Sequence, residues 1–232
     1  RPVAVCQNIT VFLDGSGNAS ITAGDVDGGS TDNCSLSMLS ASPTSFTCAN
    51  VGINNVVLTA TDASGNSGMC SASLNVQDTT APVAVCQNIT IFLNGSGTSA
   101  VFPGDVDGGS SDNCAIGGRS SSPAIFNCTN LGPNNVTLTV SDVNGNSKSC
   151  TSIVTIQDTT SPTVVCQNIT VYLDGSGNAS ITAGDVDGGS ADNCGNPTLS
   201  ASPTSFTCAD IGSNNVTLTA TDGSGNSDQC IS

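Results

Sequence analysis

The sequence predicts an all-β protein of three tandem immunoglobulin-like β-sandwich domains arranged as a stiff rod. Three observations lead to this prediction. The twelve cysteines recur in sets of four every 80 residues. Apolar and polar residues alternate over short stretches, and no window carries the 3.6-residue stripe of a helix. About seven short strands in a unit of this size indicate an Ig-like sandwich.

The repeat is close to verbatim, since residues 24–34 return with one change each as 104–114 and 184–194. We therefore predict domains at 1–78, 79–158 and 159–232, called repeats 1, 2 and 3 from here on. Repeat 3 stops before the counterpart of residues 154–158. Either the chain continues a longer array, or a neighbouring chain supplies the missing strand.

Strands and turns follow from local patterns. Residues 8–13 are rich in β-branched and aromatic side chains, residues 14–17 favour a hairpin turn, and residues 19–22 favour the returning strand. Val136, Leu138 and Val140 alternate with polar residues, as in a strand with one buried face. Residues 62–66 predict a further turn.

The segments between repeats are short and restricted. Residues 77–82 and 157–162 each end in proline, which holds itself and the residue before it in extended geometry. Such linkers are stiffer than Gly/Ser tethers, which is why we expect a rod.

Composition excludes several classes of function. The net charge is −15, with three Lys or Arg, eighteen acids and no His. A chain so acidic would be repelled by phosphates, so we expect no nucleic acid partner. No apolar run approaches the roughly 20 residues of a membrane span, so we expect no membrane insertion. Nothing indicates an organic cofactor.

The cysteines predict disulfides and an oxidising compartment, because they come in even sets without Cys-x-x-Cys pairs. Four cysteines allow three pairings, and the sequence alone does not choose among them. We favour first with last in each repeat, because the first and last strands of such sandwiches often lie side by side, and second with third, because these two flank a hairpin-like stretch. The alternative is a redox-active thiol. The pairs are Cys6–Cys70, Cys34–Cys48, Cys86–Cys150, Cys114–Cys128, Cys166–Cys230 and Cys194–Cys208.

Repeated aspartates predict a calcium site in each repeat, because carboxylates spaced among glycines can wrap a hard cation. The candidate ligands are Asp25, Asp27, Asp32, Asp62, Asp105, Asp107, Asp112, Asp142, Asp185, Asp187, Asp192 and Asp222. The alternative is that these residues form Asx turns. A glycosidase pair would need a carboxyl group with a raised pKa in a cleft, and these aspartates lie in turn-like segments.

Four motifs resemble the HYR-type immunoglobulin-like repeats of large secreted surface proteins of Bacteroidota. They are residues 78–90, the Gly-Asp-Val-Asp-Gly-Gly-Ser run of residues 24–34, residues 46–52 and residues 61–66. The resemblance covers essentially the whole chain. It implies an extracellular array linked to adhesion, gliding or fibres, and O-glycosylation at Asp-Thr-Thr motifs, here at Thr79 and Thr159.

The combined expectation is a non-enzymatic structural array, a stalk or filament at a bacterial surface. Its partners would be itself or neighbouring copies in a fibre. Two alternatives stay open. The repeats could be an adhesin that binds glycans or surfaces, or they could be spacers of a larger secreted enzyme.

Overall fold

The computed structural model describes residues 1–232, and its regular secondary structure is mostly strand. This confirms the predicted all-β class. Repeat 1 contains β1 (Ile9–Phe12), β2 (Asn18–Ser20), β3 (Leu36–Ser42), β4 (Ser45–Thr47), β5 (Gly52–Asp62) and β6 (Ser67–Gln77). Repeat 2 contains β7 (Ile89–Phe92), β8 (Thr98–Ala100), β9 (Ile116–Ser122), β10 (Ile125–Asn127), β11 (Gly132–Asp142) and β12 (Ser147–Gln157). Repeat 3 contains β13 (Asn178–Ser180), β14 (Thr198–Ser202), β15 (Ser205–Thr207), β16 (Thr217–Thr221) and β17 (Ser227–Ile231).

The helices are single short 3-10 turns. They comprise Ala23–Val26, Cys48–Asn50, Cys128–Asn130, Ala183–Asp185 and Cys208–Asp210. None has the length and hydropathy of a membrane-spanning helix.

Each complete repeat has a four-stranded and a two-stranded sheet. In repeat 1 the orders are β1-β6-β5-β3 and β2-β4, and repeat 2 has the same arrangement, β7-β12-β11-β9 and β8-β10. β5 and β6 form the long hairpin predicted from the turn at residues 62–66. β1 runs parallel to the end of β6, with Ile9 opposite Leu74 and Phe12 opposite Gln77.

The predicted hairpin between residues 8–13 and 19–22 is a turn, but its strands do not pair. The turn is closed by the Asp14 N–H, which donates to the Asn18 carbonyl at 2.8 Å. β2 then pairs with β4 instead of β1. The turn therefore carries the chain from one sheet of the sandwich to the other, a change that local turn chemistry does not distinguish from a hairpin.

The core follows the period of two along the long strands. Val56, Leu58 and Ala60 of β5 are fully buried, and so are Leu74 and Val76 of β6. The same alternation ends at Asp62, which is 9% exposed, so a carboxylate terminates the buried face of the sheet.

Repeat 3 has a shorter last strand and an open edge. Its main sheet has the order β14-β16-β17, and residues 169–172, which correspond to β1, form no strand. In repeat 1 the partner of β1 is residues 74–77, whose counterparts would follow Ser232, the last residue of the given sequence. A cavity of about 530 Å³ opens beside Ile181, Phe206 and Val216.

The chain divides into two compact units, each of which contains one boundary between repeats. The first comprises Arg1–Cys86, Asp107–Ser120 and Leu138–Cys150. The second comprises Gln87–Val106, Ser121–Thr137 and Thr151–Ser232. Within each unit, the end of one repeat therefore packs against one end of the next repeat.

Candidate functional site at the repeat junctions

One disulfide closes each repeat as predicted. Cys6 bonds to Cys70, Cys86 to Cys150 and Cys166 to Cys230, with Cα–Cα distances of 5.8–5.9 Å. Each bond ties the segment before the first strand to the last strand, because those elements are neighbours in the sheet.

The second predicted pairing is wrong. Cys48 bonds to Cys114 and Cys128 to Cys194, so these disulfides connect one repeat to the next, and the predicted pairs Cys34–Cys48, Cys114–Cys128 and Cys194–Cys208 do not form. The register explains why. Cys34 lies near one end of the main sheet, because Leu36, two residues later, is opposite Asp62. Cys48 lies near the other end, because it follows β4 beside Gly17, where β1 meets Gln77. β3 alone spans roughly 20 Å between these ends.

Two cysteines, Cys34 and Cys208, remain as exposed free thiols. Cys34 occupies the position that Cys114 and Cys194 hold in the other repeats. Cys208 occupies the position of Cys48 and Cys128. The free thiols are therefore the two complementary halves of the disulfide that joins neighbouring repeats.

Three carboxylates converge at the first junction, which we define as Asp78, Asp112, Asn113, Asp142, Asn144 and Asn146. Oxygens of Asp78, Asp112 and Asp142 all lie within 4.8 Å of one another. Asp78 belongs to the linker and is 7% exposed, and Asp142 ends β11 and is 4% exposed. A carboxylate from one repeat is thus buried against two from the next.

Amide side chains hold the linker aspartate of the first junction. The Asp78 Oδ1 accepts from the Asn113 Nδ2 at 3.2 Å, and its Oδ2 accepts from the Asn144 Nδ2 at 2.9 Å. The Asn146 Nδ2 donates to the Asp78 carbonyl at 3.1 Å and to the Asp142 Oδ2 at 2.7 Å. The neutral amides fix the positions of these carboxylates and leave their charges uncompensated.

The second junction repeats this arrangement with Asp158, Asp192, Asn193, Asp222 and Asn226. The Asp158 Oδ1 accepts from the Asn193 Nδ2 at 3.1 Å. The Asn226 Nδ2 bridges the Asp158 carbonyl, at 3.1 Å, and the Asp222 Oδ2, at 2.8 Å. Asp158 and Asp192 also cluster with Cys194, whose sulfur is bonded to Cys128.

Several buried oxygens at the junctions accept no hydrogen bond. They are Asp112 Oδ1 and Asn113 Oδ1 at the first junction, and Asp158 Oδ2, Asp192 Oδ1 and Asn193 Oδ1 at the second. Buried polar atoms in proteins are nearly always partnered, and an unpartnered one costs about 1–3 kcal/mol. Five of the six such oxygens in the chain lie at the two junctions, and the sixth is the Oδ1 of Asp32.

No basic group neutralises either junction. The two ion pairs of the chain are Arg119 with Asp107, at 2.7 Å, and the α-ammonium group of Arg1 with Asp32, at 3.4 Å. Asp32 is the repeat 1 counterpart of Asp112 and Asp192. The Oδ1 of Asp32, like that of both counterparts, is buried and accepts no hydrogen bond.

The predicted ligands divide into two groups. The first group lies at the end of a repeat that faces a junction, or at the corresponding end of repeat 1. It comprises Asp32, Asp62, Asp112, Asp142, Asp192 and Asp222. Asp25, Asp27 and their counterparts Asp105, Asp107, Asp185 and Asp187 are not brought into the clusters. They order local turns instead, as the Asx-turn alternative expects: Asp25 accepts from the Thr22 N–H and Asp27 from the Ser30 hydroxyl.

Hydrogen bonds also set the protonation of these aspartates. The Asn66 side chain lowers the pKa of Asp62 below 3.8, the Thr22 N–H lowers that of Asp25, and the Ser30 hydroxyl lowers that of Asp27. The pKa of Asp32 is lowered chiefly by the Cys34 N–H, while burial and the charge of Asp62 act in the opposite direction. These carboxyl groups stay ionised at neutral pH and therefore hold no proton that a general acid could donate.

The linker aspartates Asp78 and Asp158 were missed as candidate ligands. Their position before Thr-Thr indicated a glycosylation motif, and Thr79 and Thr159 are indeed exposed. The signal that could have identified Asp78 and Asp158 is that an aspartate recurs at the same position of both linkers. Nothing in the sequence shows which surface they approach.

A glycine allows each junction to close. A Cβ on Gly17 would lie 2.6 Å from the Cys48 Sγ and 2.8 Å from the Asn113 carbonyl oxygen of the next repeat. Gly97 has the same surroundings, with the Asn193 oxygen at 2.6 Å and the Cys128 Sγ at 2.7 Å. Any side chain here would displace the neighbouring repeat.

Aromatic side chains are exposed at one repeated position. Phe12, Phe92 and Tyr172 have exposed fractions of 56%, 54% and 87%. Phe46 and Phe126, by contrast, are buried.

No protein-family model and no curated protein matches the chain. Among solved structures, titin domains I67–I69 of the I-band are 12% identical, with 99% of this chain and 96% of that chain covered and a TM-score of 0.37. Mouse cadherin-23 EC22–24 is 13% identical, covers 98% and 94%, and has a TM-score of 0.36. Protocadherin gamma B7 extracellular cadherin domains 1–4 are 13% identical, cover 98% and 74%, and have a TM-score of 0.34.

Proposed function

We propose that this chain is part of a non-enzymatic, extracellular structural array whose repeats are covalently coupled into a stalk or filament. The observation that carries this proposal is the disulfide between neighbouring repeats, Cys48–Cys114 and Cys128–Cys194. Each junction then has two covalent connections, the linker and the disulfide. Two connections restrict rotation about the junction more than the proline-containing linker does alone.

The disulfide loops overlap along the chain. The loops close at 6–70, 48–114, 86–150, 128–194 and 166–230, so every residue between Cys6 and Cys230 lies inside at least one of them. In the chain-entropy treatment, each loop of this length stabilises the folded state by about 4 kcal/mol. Such cross-linking suits a protein that must keep its structure outside the cell.

The free thiols of Cys34 and Cys208 support continuation of the array by the same connection. Cys208 of one copy and Cys34 of another occupy the two repeat positions that are bonded to each other at both internal junctions. Thiol–disulfide exchange with oxidised glutathione would join them, the glutathione disulfide taking up two electrons and two protons. The partner we propose is therefore another repeat of the same kind.

The compartment and surface chemistry agree with this function. Five disulfides are typical of proteins in oxidising compartments. A net charge of −15 keeps copies soluble and apart until specific bonds form. Together with the HYR-type resemblance, this leads us to propose a bacterial cell surface and O-glycosylation of Thr79 and Thr159.

A second candidate, an adhesin, is favoured by the exposed aromatics at one position of every repeat. Phe12, Phe92 and Tyr172 could stack on sugar rings presented by a neighbouring surface. Binding of the chain to immobilised glycans, with loss of binding in the triple variant F12A/F92A/Y172A, would support this function. Equal binding by both proteins would reject it.

Imaging of the angle between neighbouring repeats tests the structural proposal. In negative-stain images, the wild-type chain should show a narrow distribution of angles. The variant C48S/C114S/C128S/C194S, which keeps the three disulfides within repeats and gains no thiol, should show a broad one. Equal distributions would mean that the second connection does not restrict the junction, and would contradict the proposal.

A further inference from the structure

We propose that each repeat junction binds a divalent cation that prefers oxygen ligands, of the Ca²⁺ type. The linker aspartate of one repeat and the two aspartates at the facing end of the next would hold it. At the first junction these are the clustered Asp78, Asp112 and Asp142. At the second, the clustered carboxylates are Asp158 and Asp192, and Asp222 is joined to the Asp158 carbonyl through the Asn226 Nδ2. This inference is independent of the structural role proposed above, and it places the cation between repeats instead of within them.

The Asp158 side chain is the first observation that points to a ligand. Asp158 is 6% exposed, and its Oδ2 accepts no hydrogen bond. A buried carboxylate oxygen without a partner is unfavourable unless another positive or polar group satisfies it. Asp192 Oδ1 and Asn193 Oδ1 are unpartnered at the same junction. Three oxygens of suitable chemistry therefore lack partners in one place.

The charges at the first junction are the second observation. Oxygens of Asp78, Asp112 and Asp142 lie within 4.8 Å of one another, and neither ion pair of the chain involves them. Like charges at this distance repel one another strongly where water is partly excluded. A bound dication would convert that repulsion into attraction.

The donor atoms define the class of cation. Carboxylate and amide oxygens are the ligands that Ca²⁺ prefers, in sets of six to eight completed by water. Soft metals are disfavoured because the chain has no His and the nearest sulfurs are in disulfides. Mg²⁺ demands near-ideal octahedral geometry. Competition between Mg²⁺ and Ca²⁺ therefore measures which of the two cations the junction prefers.

The two junctions differ at one residue, which supplies an internal comparison. The Asn144 Nδ2 donates to the Asp78 Oδ2 at the first junction. Its counterpart at the second junction is Ser224, and there the Asp158 Oδ2 is unpartnered. A cation at the first junction must displace this amide, so we expect it to bind more weakly there.

Calorimetric titration of the whole chain with CaCl₂, after removal of metal with EDTA, tests the proposal. We expect two sites per chain, one lost in D78N and the other in D158N. The control is D174N, which makes the same charge change in a turn where repeat 2 naturally has Asn94. D174N should keep both sites. Absence of binding at millimolar Ca²⁺, three equivalent sites, or two sites remaining in D78N would each overturn the proposal.

Two further measurements exclude misfolding and test selectivity. In EDTA, D158N should melt at or above the wild-type temperature, because the substitution removes a repelling charge and replaces an oxygen that accepts no hydrogen bond. D78N loses one of the two hydrogen bonds to Asp78, so circular dichroism should confirm that it keeps the wild-type fold. Ca²⁺ should raise the melting temperature of the wild type and not that of D78N/D158N. An equal rise in melting temperature in both proteins would contradict a Ca²⁺-type site at the junctions. Displacement of Ca²⁺ by equimolar Mg²⁺ would contradict it as well.

The substitution N144S gives the sharpest comparison. It removes the amide that competes for Asp78 and should strengthen binding at the first junction by at least about tenfold, the equivalent of one hydrogen bond to a charged group. The reverse change S224N should weaken the second junction by a similar factor. An unchanged affinity in both variants would show that the Asp78 and Asp158 Oδ2 atoms are not ligands.

Discussion

Asn113 of repeat 2 connects to Asp78 of the preceding linker through its side-chain amide, whose Nδ2 lies 3.2 Å from the Asp78 Oδ1. The same nitrogen lies 3.1 Å from the Asp14 carbonyl oxygen in the first turn of repeat 1. One side chain therefore holds both the linker and a turn of the previous repeat. The pair Asn193 and Asp158 repeats the relationship at the second junction.

Removal of this amide should loosen the first junction. In N113A the Asp78 Oδ1 loses a buried hydrogen bond, and we expect a destabilisation of about 1–3 kcal/mol. Chemical denaturation in EDTA measures it. The control is N33A, since Asn33 holds the same position in repeat 1 and is exposed. A loss of stability no larger than that of N33A would contradict the role assigned to Asn113.

A side chain at Gly17 should disrupt the first junction more than it disrupts its own repeat. Gly17 has a φ of 75°, and the Cβ of G17A would meet the Cys48 Sγ and the Asn113 carbonyl oxygen. The matched control is G177A, because Gly177 has a φ of 77° and only the Cys208 Sγ nearby. Both lose about 1–2 kcal/mol from backbone strain.

The additional effect of G17A should appear as slower formation of the Cys48–Cys114 disulfide during oxidative refolding. Quantitative peptide mapping over time measures this rate. Equal rates in G17A and G177A would show that the close approach at Gly17 is unimportant.

Acid should destabilise the chain below about pH 4. Hydrogen bonds lower the pKa of Asp25, Asp62 and Asp187 in the folded state below 3.8. A depressed folded-state pKa contributes stability that is present above the unfolded-state pKa and is lost as pH falls through the folded-state value. Neutralising the net charge acts in the opposite direction but is weakened by salt.

Urea unfolding at 150 mM salt in EDTA, from pH 7 to pH 2.5, checks this prediction. The free energy of unfolding should change little down to pH 5 and fall below pH 4. A free energy that rises continuously as the pH drops would show that charge repulsion dominates over the hydrogen-bonded carboxylates.

The open edge of repeat 3 should order when its partner strand is supplied. Ile169, Val171 and Tyr172 are exposed to 40%, 42% and 87%, and their counterparts in repeat 1 form β1 against residues 74–77. A copy of residues 73–80 fused after Ser232 should pair with residues 169–172. Burial of these apolar side chains stabilises by roughly 1–3 kcal/mol each when complete.

Hydrogen exchange of the amides at 169–172 reports the new pairing, with slower exchange expected in the fusion. The control fusion carries Ser in place of the copied Leu74 and Val76. Identical exchange in both fusions would mean that the edge does not accept a strand of this pattern.

The local elements were predictable because their signals are local. The period of two through Val56 and Leu58, and the turn after Asp62, define the β5–β6 hairpin without knowledge of the rest. The first and last strands were expected to be neighbours, but the parallel direction and the register of β1 against β6 were not predicted, since the pairing joins segments about 65 residues apart and has no turn signal.

The partner of Cys48 could not be predicted for a different reason. In a periodic chain Cys34 and Cys114 have the same surroundings in sequence, so Cys48 can pair within its repeat or with the next one. The observed separations, 64 residues for Cys6–Cys70 and 66 for Cys48–Cys114, are nearly equal. Only the position of each cysteine along the sheet decides between them. The same periodicity concealed Asp78, whose neighbours belong to the next repeat.

Peptide mapping of the unreduced protein tests the central claim most directly. Thiols are blocked at low pH, the chain is digested, and disulfide-linked peptides are identified by mass spectrometry. The account predicts peptides that link Cys48 to Cys114 and Cys128 to Cys194, with Cys34 and Cys208 recovered as blocked thiols. Peptides that link Cys34 to Cys48 and Cys114 to Cys128 would place every disulfide within a repeat and contradict the covalent coupling of neighbouring repeats.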